Sequence, residues 1–163
     1  MSRDSRHGIP ADAVALHATA VVLGDRGVLI TGASGAGKST LGLSLIGRWR
    51  AAGRHACLVA DDQIFLAARG GRLAAWAPAA TRGQAEALGY GPAPVACIPF
   101  AIIDLAVVLA DDAATRFRPE EPMPVAEIAL PRLALPCRSA QSPLAVAAFL
   151  GGPPFERGGI SSG

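Results

Sequence analysis

The sequence predicts an α/β protein in which a mixed β-sheet with flanking helices carries a phosphate-binding loop. Three observations lead to this prediction. The chain has 163 residues, enough for one buried core. It is 51% hydrophobic but only 5% aromatic, so the core must consist largely of Ala, Val, Leu and Ile. A glycine-rich run also stands between an apolar segment and an amphipathic segment, which is the order strand, loop, helix.

The chain is expected to form one domain over residues 13–150. Residues 1–12 are polar and predict a mobile N-terminal arm, and the composition of residues 151–163 is typical of a disordered tail. The arm lacks the apolar segment of a secretory signal, and the apolar stretch 98–110 is interrupted by Asp104 and is too short to span a bilayer. We therefore expect a cytoplasmic protein without a membrane partner.

Charge and cysteine content exclude two classes of function. The net charge is +2 and the arginines are scattered, so neither indicates a nucleic-acid partner. Cys57, Cys97 and Cys137 lie far apart and form no CxxC pair, which disfavours a zinc site or a disulfide framework. Buried, reduced thiols are the expected state.

Turn residues and hydrophobic periodicity predict the order of the elements. Residues 78–97 are rich in Gly, Ala and Pro and are expected to be a loop with at most one helical turn, and prolines in 118–136 predict edge strands. The remaining elements are a hairpin over 13–23 and 28–30, a helix over 38–49, a buried strand at 55–60, a hairpin over 63–68 and 72–77, one central strand at 100–109, and a last helix over 142–150.

The glycine-rich run fills every position of the phosphate-loop pattern G-x-x-x-x-G-K-[ST]. Its glycines permit positive φ and close backbone approach, so that N–H groups and the start of the next helix converge on phosphate oxygens. The lysine supplies a mobile positive charge and the serine hydroxyl a ligand for Mg²⁺. The predicted ATP-binding residues are Gly32, Ala33, Ser34, Gly35, Ala36, Gly37, Lys38, Ser39 and Thr40.

Two adjacent acids, Asp61 and Asp62, end the predicted strand at 55–60. Phosphoryl transfer needs an acid for the metal and usually a second one to orient or deprotonate the acceptor. Both functions require the chain to turn at this point, because consecutive side chains of a strand point to opposite faces. Alternatively, one aspartate holds a metal-bound water and the other is solvated, and the protein then binds nucleotide without transferring phosphate.

His17 and Glu86 are two further candidates, each with a plain alternative. His17 lies within an apolar segment, where a histidine is more often a hydrogen-bonded core residue than a catalytic one. Glu86 is the only acid between Asp62 and Asp104 and is either a solvated loop carboxylate or a direct or indirect ligand of Mg²⁺.

A histidine fifteen positions before a GxSGxGKS loop, followed by LVADD, resembles the C-terminal kinase domain of HPr kinase/phosphorylase, in a short form without the N-terminal domain. The resemblance covers residues 13–150 and weakens after Leu66. It implies transfer of phosphate from ATP with Mg²⁺ to a serine of HPr, the phosphocarrier of the phosphotransferase system, with removal by phosphorolysis, and it makes a homo-oligomer plausible.

The resemblance also implies residue roles. His17 and Lys38 match active-site residues, Ser39 the magnesium ligand, Asp62 the group that accepts the seryl proton, and Asp61 a neighbour of the metal. Thr40 stands where the family usually has Glu, and Leu88 where its E-x-R-G-x-G-I signature has Arg; Arg138 is a loose match for a later active-site arginine.

Two other functions fit the same phosphate loop. One is a small-molecule kinase or ATPase that acts without a carrier protein, although the sequence has no arginine-rich lid for a small acceptor. The other is a non-catalytic nucleotide sensor derived from the kinase, which Leu88 in place of the signature arginine would favour because a lost arginine removes charge stabilisation in the transition state.

Overall fold

The computed structural model describes residues 8–87, 89–111 and 119–155 and has three layers: a small sheet, a larger sheet and a layer of helices. The elements in chain order are β1 (Val14–Leu16), β2 (Thr19–Leu23), β3 (Arg26–Gly32), α1 (Lys38–Ala51), β4 (Ala56–Ala60), β5 (Ile64–Arg69), β6 (Arg72–Trp76), β7 (Gln84–Ala87), β8 (Gly91–Pro94), β9 (Phe100–Ile103), β10 (Leu105–Leu109), β11 (Pro119–Val125), β12 (Ile128–Leu135) and α2 (Ser142–Leu150).

The larger sheet is mixed, as predicted, and has the order β11-β12-β10-β3-β2-β4. Strand β3 pairs in parallel with β10 and antiparallel with β2, so it lies inside the sheet. Val28, Leu29 and Ile30 are fully buried there. The phosphate loop follows β3 directly and therefore starts from a rigid central strand.

The smaller sheet has the order β1-β5-β6-β9 and is antiparallel throughout. Its inner face packs against the larger sheet through a shared apolar cluster that includes Ile64, Leu66, Leu73 and Leu29. The hairpin predicted over 63–68 and 72–77 is confirmed as β5 and β6.

Helix α1 covers the other face of the larger sheet. Leu41, Leu45 and Trp49, which recur at helical spacing, are all buried in a second apolar cluster with Val21 and Ile30. Helix α2 packs beside α1, begins with a proline in its first turn as predicted, and ends before Gly151 in the left-handed conformation. Both predicted helices are confirmed.

The prediction of one strand over 100–109 is wrong, because the chain changes sheets at Asp104. Strand β9 belongs to the small sheet and β10 to the large one. The Asp104 carboxylate accepts hydrogen bonds from the Gly27 N–H (3.0 Å) and the Arg72 guanidinium (2.8 Å). The backbone N–H of Asp104 donates to the Gly27 carbonyl. These bonds hold the residue at the crossing point between the two sheets.

Two further expectations need correction. The predicted loop at 78–97 contains a 3₁₀ turn and the hairpin β7–β8, whose strands are short and rich in Ala and Pro and so lack the usual strand signal. Strand β12 is not an edge strand, since it lies between β11 and β10. Its Pro131 is tolerated because the β11–β12 register shifts at that point, between Glu120 and Met123.

The boundaries of the predicted arm and tail fall partly outside the described residues, which exclude 1–7 and 156–163. The division into arm, domain and tail stays a prediction. Within the described part of the arm, the Asp12 carboxylate accepts two bonds from the Arg69 guanidinium at 2.9 and 2.6 Å, and these bonds lower the pKa of Asp12. No helix in the described ranges is long and apolar enough to cross a bilayer.

Candidate active site

The phosphate loop joins β3 to α1 in the geometry that anion binding requires. Gly32, Gly35 and Gly37 all have positive φ, and a Cβ on Gly32 would lie 2.9 Å from the Leu109 carbonyl oxygen. Helix α1 starts without a side-chain cap and without an acid in its first turn. The first N–H groups of the helix therefore have no side-chain cap at the loop, and phosphate commonly binds at such a helix start.

Lys38 extends back over this loop. Its ammonium group donates to the carbonyl oxygens of Gly32 (2.9 Å) and Ala33 (3.0 Å), and only 7% of the residue is exposed. It is also the single lysine of the 163-residue sequence, in which every other basic side chain apart from histidine is arginine. A compact ammonium fits between two carbonyls and a phosphate, where the wide planar guanidinium of arginine does not.

Asp61 lies at the centre of a hydrogen-bond network that joins three elements. Its buried carboxylate accepts bonds from the Thr19 hydroxyl (2.6 Å), the Ser39 hydroxyl (2.8 and 2.9 Å to the two oxygens) and the Glu86 N–H (2.9 Å). These donors come from β2, α1 and β7. The carboxylate is therefore fixed in orientation beside the serine predicted to bind magnesium.

Thr19 was not among the residues predicted from sequence, although it is 1% exposed and makes the shortest of these bonds. Replacing Thr19 by valine keeps the shape and removes the donor. We expect the free energy of unfolding to fall by about 1.5–3 kcal/mol, the usual range for a hydrogen bond to a charged group. Equilibrium urea unfolding measures the change.

A matched control is Thr31→Val, because the Thr31 hydroxyl donates only a long bond of 3.4 Å to the Val107 carbonyl. Loss of the Thr31 hydroxyl should lower the free energy of unfolding by less than loss of the Thr19 hydroxyl does. Equal stability losses in the two variants would mean that the Thr19–Asp61 bond contributes nothing particular.

Two crossings between the sheets bring His17 and Asp62 together. Leu16 pairs with Ile64 in the small sheet, and Ala20 pairs with Ala60 in the large one. The two segments that join these pairs, residues 17–19 and 61–63, therefore run side by side. The His17 Nε2 lies 3.1 Å from an Asp62 carboxylate oxygen, and the two side chains are 56% and 78% exposed. The alternative of a core histidine is therefore wrong, and the contact between His17 and Asp62 faces solvent beside the phosphate loop.

Asp62 has φ of +72°, a left-handed conformation that aspartate and asparagine tolerate better than most residues. This turn separates the two aspartates: Asp61 points into the network and Asp62 outward. The turn required for the two acids to serve different functions is present.

Glu86 lies on β7, and its exposed side chain lines the same groove. In the part of the chain that the structure describes, no three His, Cys, Asp or Glu side chains are grouped as a metal site. Magnesium typically takes one or two carboxylates and completes its shell with phosphate oxygens and water. The Ser39 hydroxyl and Asp61 carboxylate fit that pattern, and the metal roles of Ser39, Asp61 and Glu86 stay predictions.

Arg138 lies against the phosphate loop. The sequence indicated this arginine only as a loose match to an active-site arginine of the family. Its N–H donates to the Ala36 carbonyl (3.1 Å), and its Cγ lies 3.2 Å from where a Cβ on Gly37 would be. Its φ of +50° turns the backbone sharply at this point. A second cation thus stands beside the glycine-rich loop. Leu88, where the family signature has an arginine, lies outside the described residues.

A continuous groove of about 1480 Å³ connects these groups. His17, Asp62 and Glu86 line it near the phosphate loop, and it continues along α1 between the β7–β8 hairpin and α2. Desolvation and a hydrogen bond to Asp111 raise the pKa of the Cys137 thiol, next to Arg138. Of the three cysteines, only Cys57 is buried as expected.

Comparison with known proteins gives two findings. The family model described as HPr Serine kinase C-terminal domain matches residues 10–96, just over half of the chain. A solved structure described as the HPr(Ser) kinase/phosphatase from Coxiella burnetii is similar with a TM-score of 0.67 and 26% sequence identity, over 84% of this chain and 93% of that one. No curated protein matches significantly.

Proposed function

Since the chain belongs to the HPr serine kinase C-terminal domain family, we propose that it is an ATP- and Mg²⁺-dependent kinase that phosphorylates a serine of an HPr-type phosphocarrier. The observation that supports this proposal most directly is the placing of an exposed acid–base pair, Asp62 and His17, next to an uncapped phosphate loop whose serine is bonded to Asp61. A nucleotide sensor needs the loop but not the pair.

The proposed roles follow from position. Lys38 and the loop N–H groups hold the phosphates, and Ser39 and Asp61, with Glu86 nearby, hold Mg²⁺, which neutralises charge on the phosphates when bound. Asp62 takes the proton of the acceptor hydroxyl, and His17 orients Asp62 through the 3.1 Å contact. Arg138 adds positive charge where the transferred group would develop negative charge.

The exposure of the pair suits a protein acceptor better than a small molecule. A side chain that is 78% exposed at the groove mouth can meet a serine on a folded protein surface, whereas a small acceptor would need to be enclosed against water. We further propose that the reverse reaction, phosphorolysis of the seryl phosphate, uses the same pair with proton transfer in the opposite direction. A cytoplasmic homo-oligomer remains part of the proposal.

A carrier-phosphorylation assay tests this function. Labelled ATP and Mg²⁺ are incubated with the chain and an HPr-type carrier, in parallel with the Ser→Ala form of that carrier. Label is expected on the intact carrier only. Addition of inorganic phosphate should remove the label and release pyrophosphate.

The other outcomes identify the alternatives. Equal labelling of both carriers would refute seryl transfer, and ATP hydrolysis that is independent of carrier would indicate a simple ATPase. Nucleotide binding without turnover, together with ATP-dependent binding of the carrier, would indicate a sensor.

A further inference from the structure

Strand β4 has one more residue than its partner β2 shortly before its C-terminal end. Val21 pairs with Leu58, but the neighbouring Ala20 pairs with Ala60, so Val59 is an extra residue and forms a β-bulge. A register shift of one residue sends every later side chain to the opposite face of the sheet. The bulge therefore decides which face the residues after β4 meet.

The packing on the two faces of β4 shows this effect. Ala56 and Leu58 belong to the apolar cluster beneath α1, whereas Val59 and Ala60 both belong to the cluster between the two sheets. Regular alternation from Leu58 would place the side chain of Asp61 between the two sheets. Because of the bulge, Asp61 instead lies on the face that α1 covers.

Thr19 is the residue that the shift places opposite Asp61. It directly precedes Ala20, and Asp61 directly follows Ala60, so the two residues are cross-strand neighbours on the α1 face. The Thr19 hydroxyl donates to the Asp61 carboxylate at 2.6 Å, and the two residues are 1% and 5% exposed. The bulge and the threonine together determine where this buried carboxylate points.

Helix α1 approaches the pair closely because a glycine faces it. A Cβ on Gly42 would lie only 3.1 Å from Cγ2 of Thr19. Ser39, one turn before Gly42, donates to both oxygens of Asp61 at 2.8 and 2.9 Å. A serine hydroxyl has one proton, so Ser39 has none left for a phosphate, and its oxygen can only accept a hydrogen bond or bind a cation.

We propose that Thr19 is a positioning residue that acts through Asp61 and keeps Ser39 in the state of a cation ligand. The Thr19 hydroxyl and the Glu86 N–H each hold one carboxylate oxygen, so the carboxylate stays turned toward the Ser39 proton. The inference rests on the proposed function, because it requires a nucleotide and Mg²⁺ at the phosphate loop. It adds a residue outside the loop pattern that sets how far Mg²⁺ strengthens nucleotide binding.

Calorimetry of ATP binding, once with Mg²⁺ and once with EDTA, measures this effect as a ratio of two affinities. Wild type should bind ATP more tightly with Mg²⁺ than with EDTA. Thr19→Val keeps the shape of the side chain and removes the donor, and it should lower the ratio roughly tenfold, as is typical when a partner behind a metal ligand is lost. The affinity of the variant in EDTA should equal that of wild type.

Three further variants show whether the hydroxyl itself is responsible. Thr19→Ser keeps the hydroxyl and should restore the wild-type ratio. Thr19→Cys has a weaker donor and should give a ratio between those of wild type and Thr19→Val, which also provides a measurement if Thr19→Val is too unstable. Thr31→Val is the matched control, because the Thr31 hydroxyl lies on the strand before the loop but donates to the Val107 carbonyl. It should leave the ratio unchanged.

Four results would overturn the inference. A wild-type ratio in Thr19→Val would show that Asp61 needs no help from the hydroxyl, and an equal loss in Thr19→Ser and Thr19→Val would show that shape matters instead. If Thr19→Val weakens binding equally with Mg²⁺ and with EDTA, Thr19 supports the fold of the loop. If wild type binds ATP equally well in both conditions, Ser39 holds no cation. Absence of ATP binding by wild type in both conditions is a different outcome, since the proposed function itself then fails.

Discussion

Replacing Lys38 by methionine is expected to lower kcat/KM for carrier phosphorylation by roughly 10²–10³-fold, the usual effect of removing one preorganised charge from a transition state. The ammonium already sits over the loop, held by the carbonyl oxygens of Gly32 and Ala33. It therefore meets the phosphates without reorganisation. Methionine keeps an unbranched side chain and removes the ammonium group with its charge and its two hydrogen bonds. Steady-state kinetics with labelled ATP gives the change.

The control for this variant is Arg26→Met, which removes the same charge from an exposed position at the start of β3. It should retain full activity. Lys38→Met also leaves the carbonyls of Gly32 and Ala33 without their donor, which can lower stability. The melting temperature of the variant is therefore measured together with its kinetics. An active, folded Lys38→Met protein would contradict the assignment of the phosphate site.

Replacing Asp62 by asparagine is expected to lower phosphoryl transfer by roughly 10²–10⁴-fold, the contribution typical of a general base. Nucleotide binding should persist, because Asp62 points away from the network around Asp61. Asparagine is preferred to alanine here, since it tolerates the φ of +72° and keeps a polar contact with His17. Transfer and ATP affinity are measured on the same preparation.

Asp25→Asn provides the comparison, as an exposed acid in a turn outside the groove. It should transfer phosphate like wild type. Loss of ATP binding in Asp62→Asn would instead indicate that Asp62 helps to hold the metal. Undiminished phosphoryl transfer in Asp62→Asn would show that Asp62 is not the general base.

The elements with strong local signals were predictable from sequence. The phosphate loop is determined by its own eight residues, and α1 by the regular recurrence of Leu41, Leu45 and Trp49. The β5–β6 hairpin follows from a double glycine between two apolar runs. In each case the information lies within a few neighbouring positions.

Features that depend on distant parts of the chain were not predictable. Nothing near Asp104 in the sequence reveals that its carboxylate meets Gly27, 77 positions away, and ends a strand. The β7–β8 hairpin was missed because its strands contain Ala, Gly and Pro rather than β-branched residues. Its position is fixed by contacts such as the Glu86 N–H bond to Asp61.

The candidate site also combines features that the sequence predicts with features that depend on distant parts of the chain. Asp61, Asp62 and His17 could be named as candidates from residue type and spacing, and the resemblance to a kinase family assigned them roles. Their arrangement could not be derived, because it depends on two linkers that cross between the sheets side by side. Thr19 carried no signal of its own, and only the fold identifies it as the partner of Asp61.

Because the sequence contains one lysine, chemical modification of lysine side chains reports on a single position, Lys38. Among the side chains of these 163 residues, Lys38 is the one target of reagents that acylate ε-amines. A bound polyphosphate would shield that amine, so the rate of acylation at this position measures occupancy directly. Acetylation of the same amine would remove the charge that is proposed to hold the phosphates, and these 163 residues contain no other lysine that could be acetylated instead.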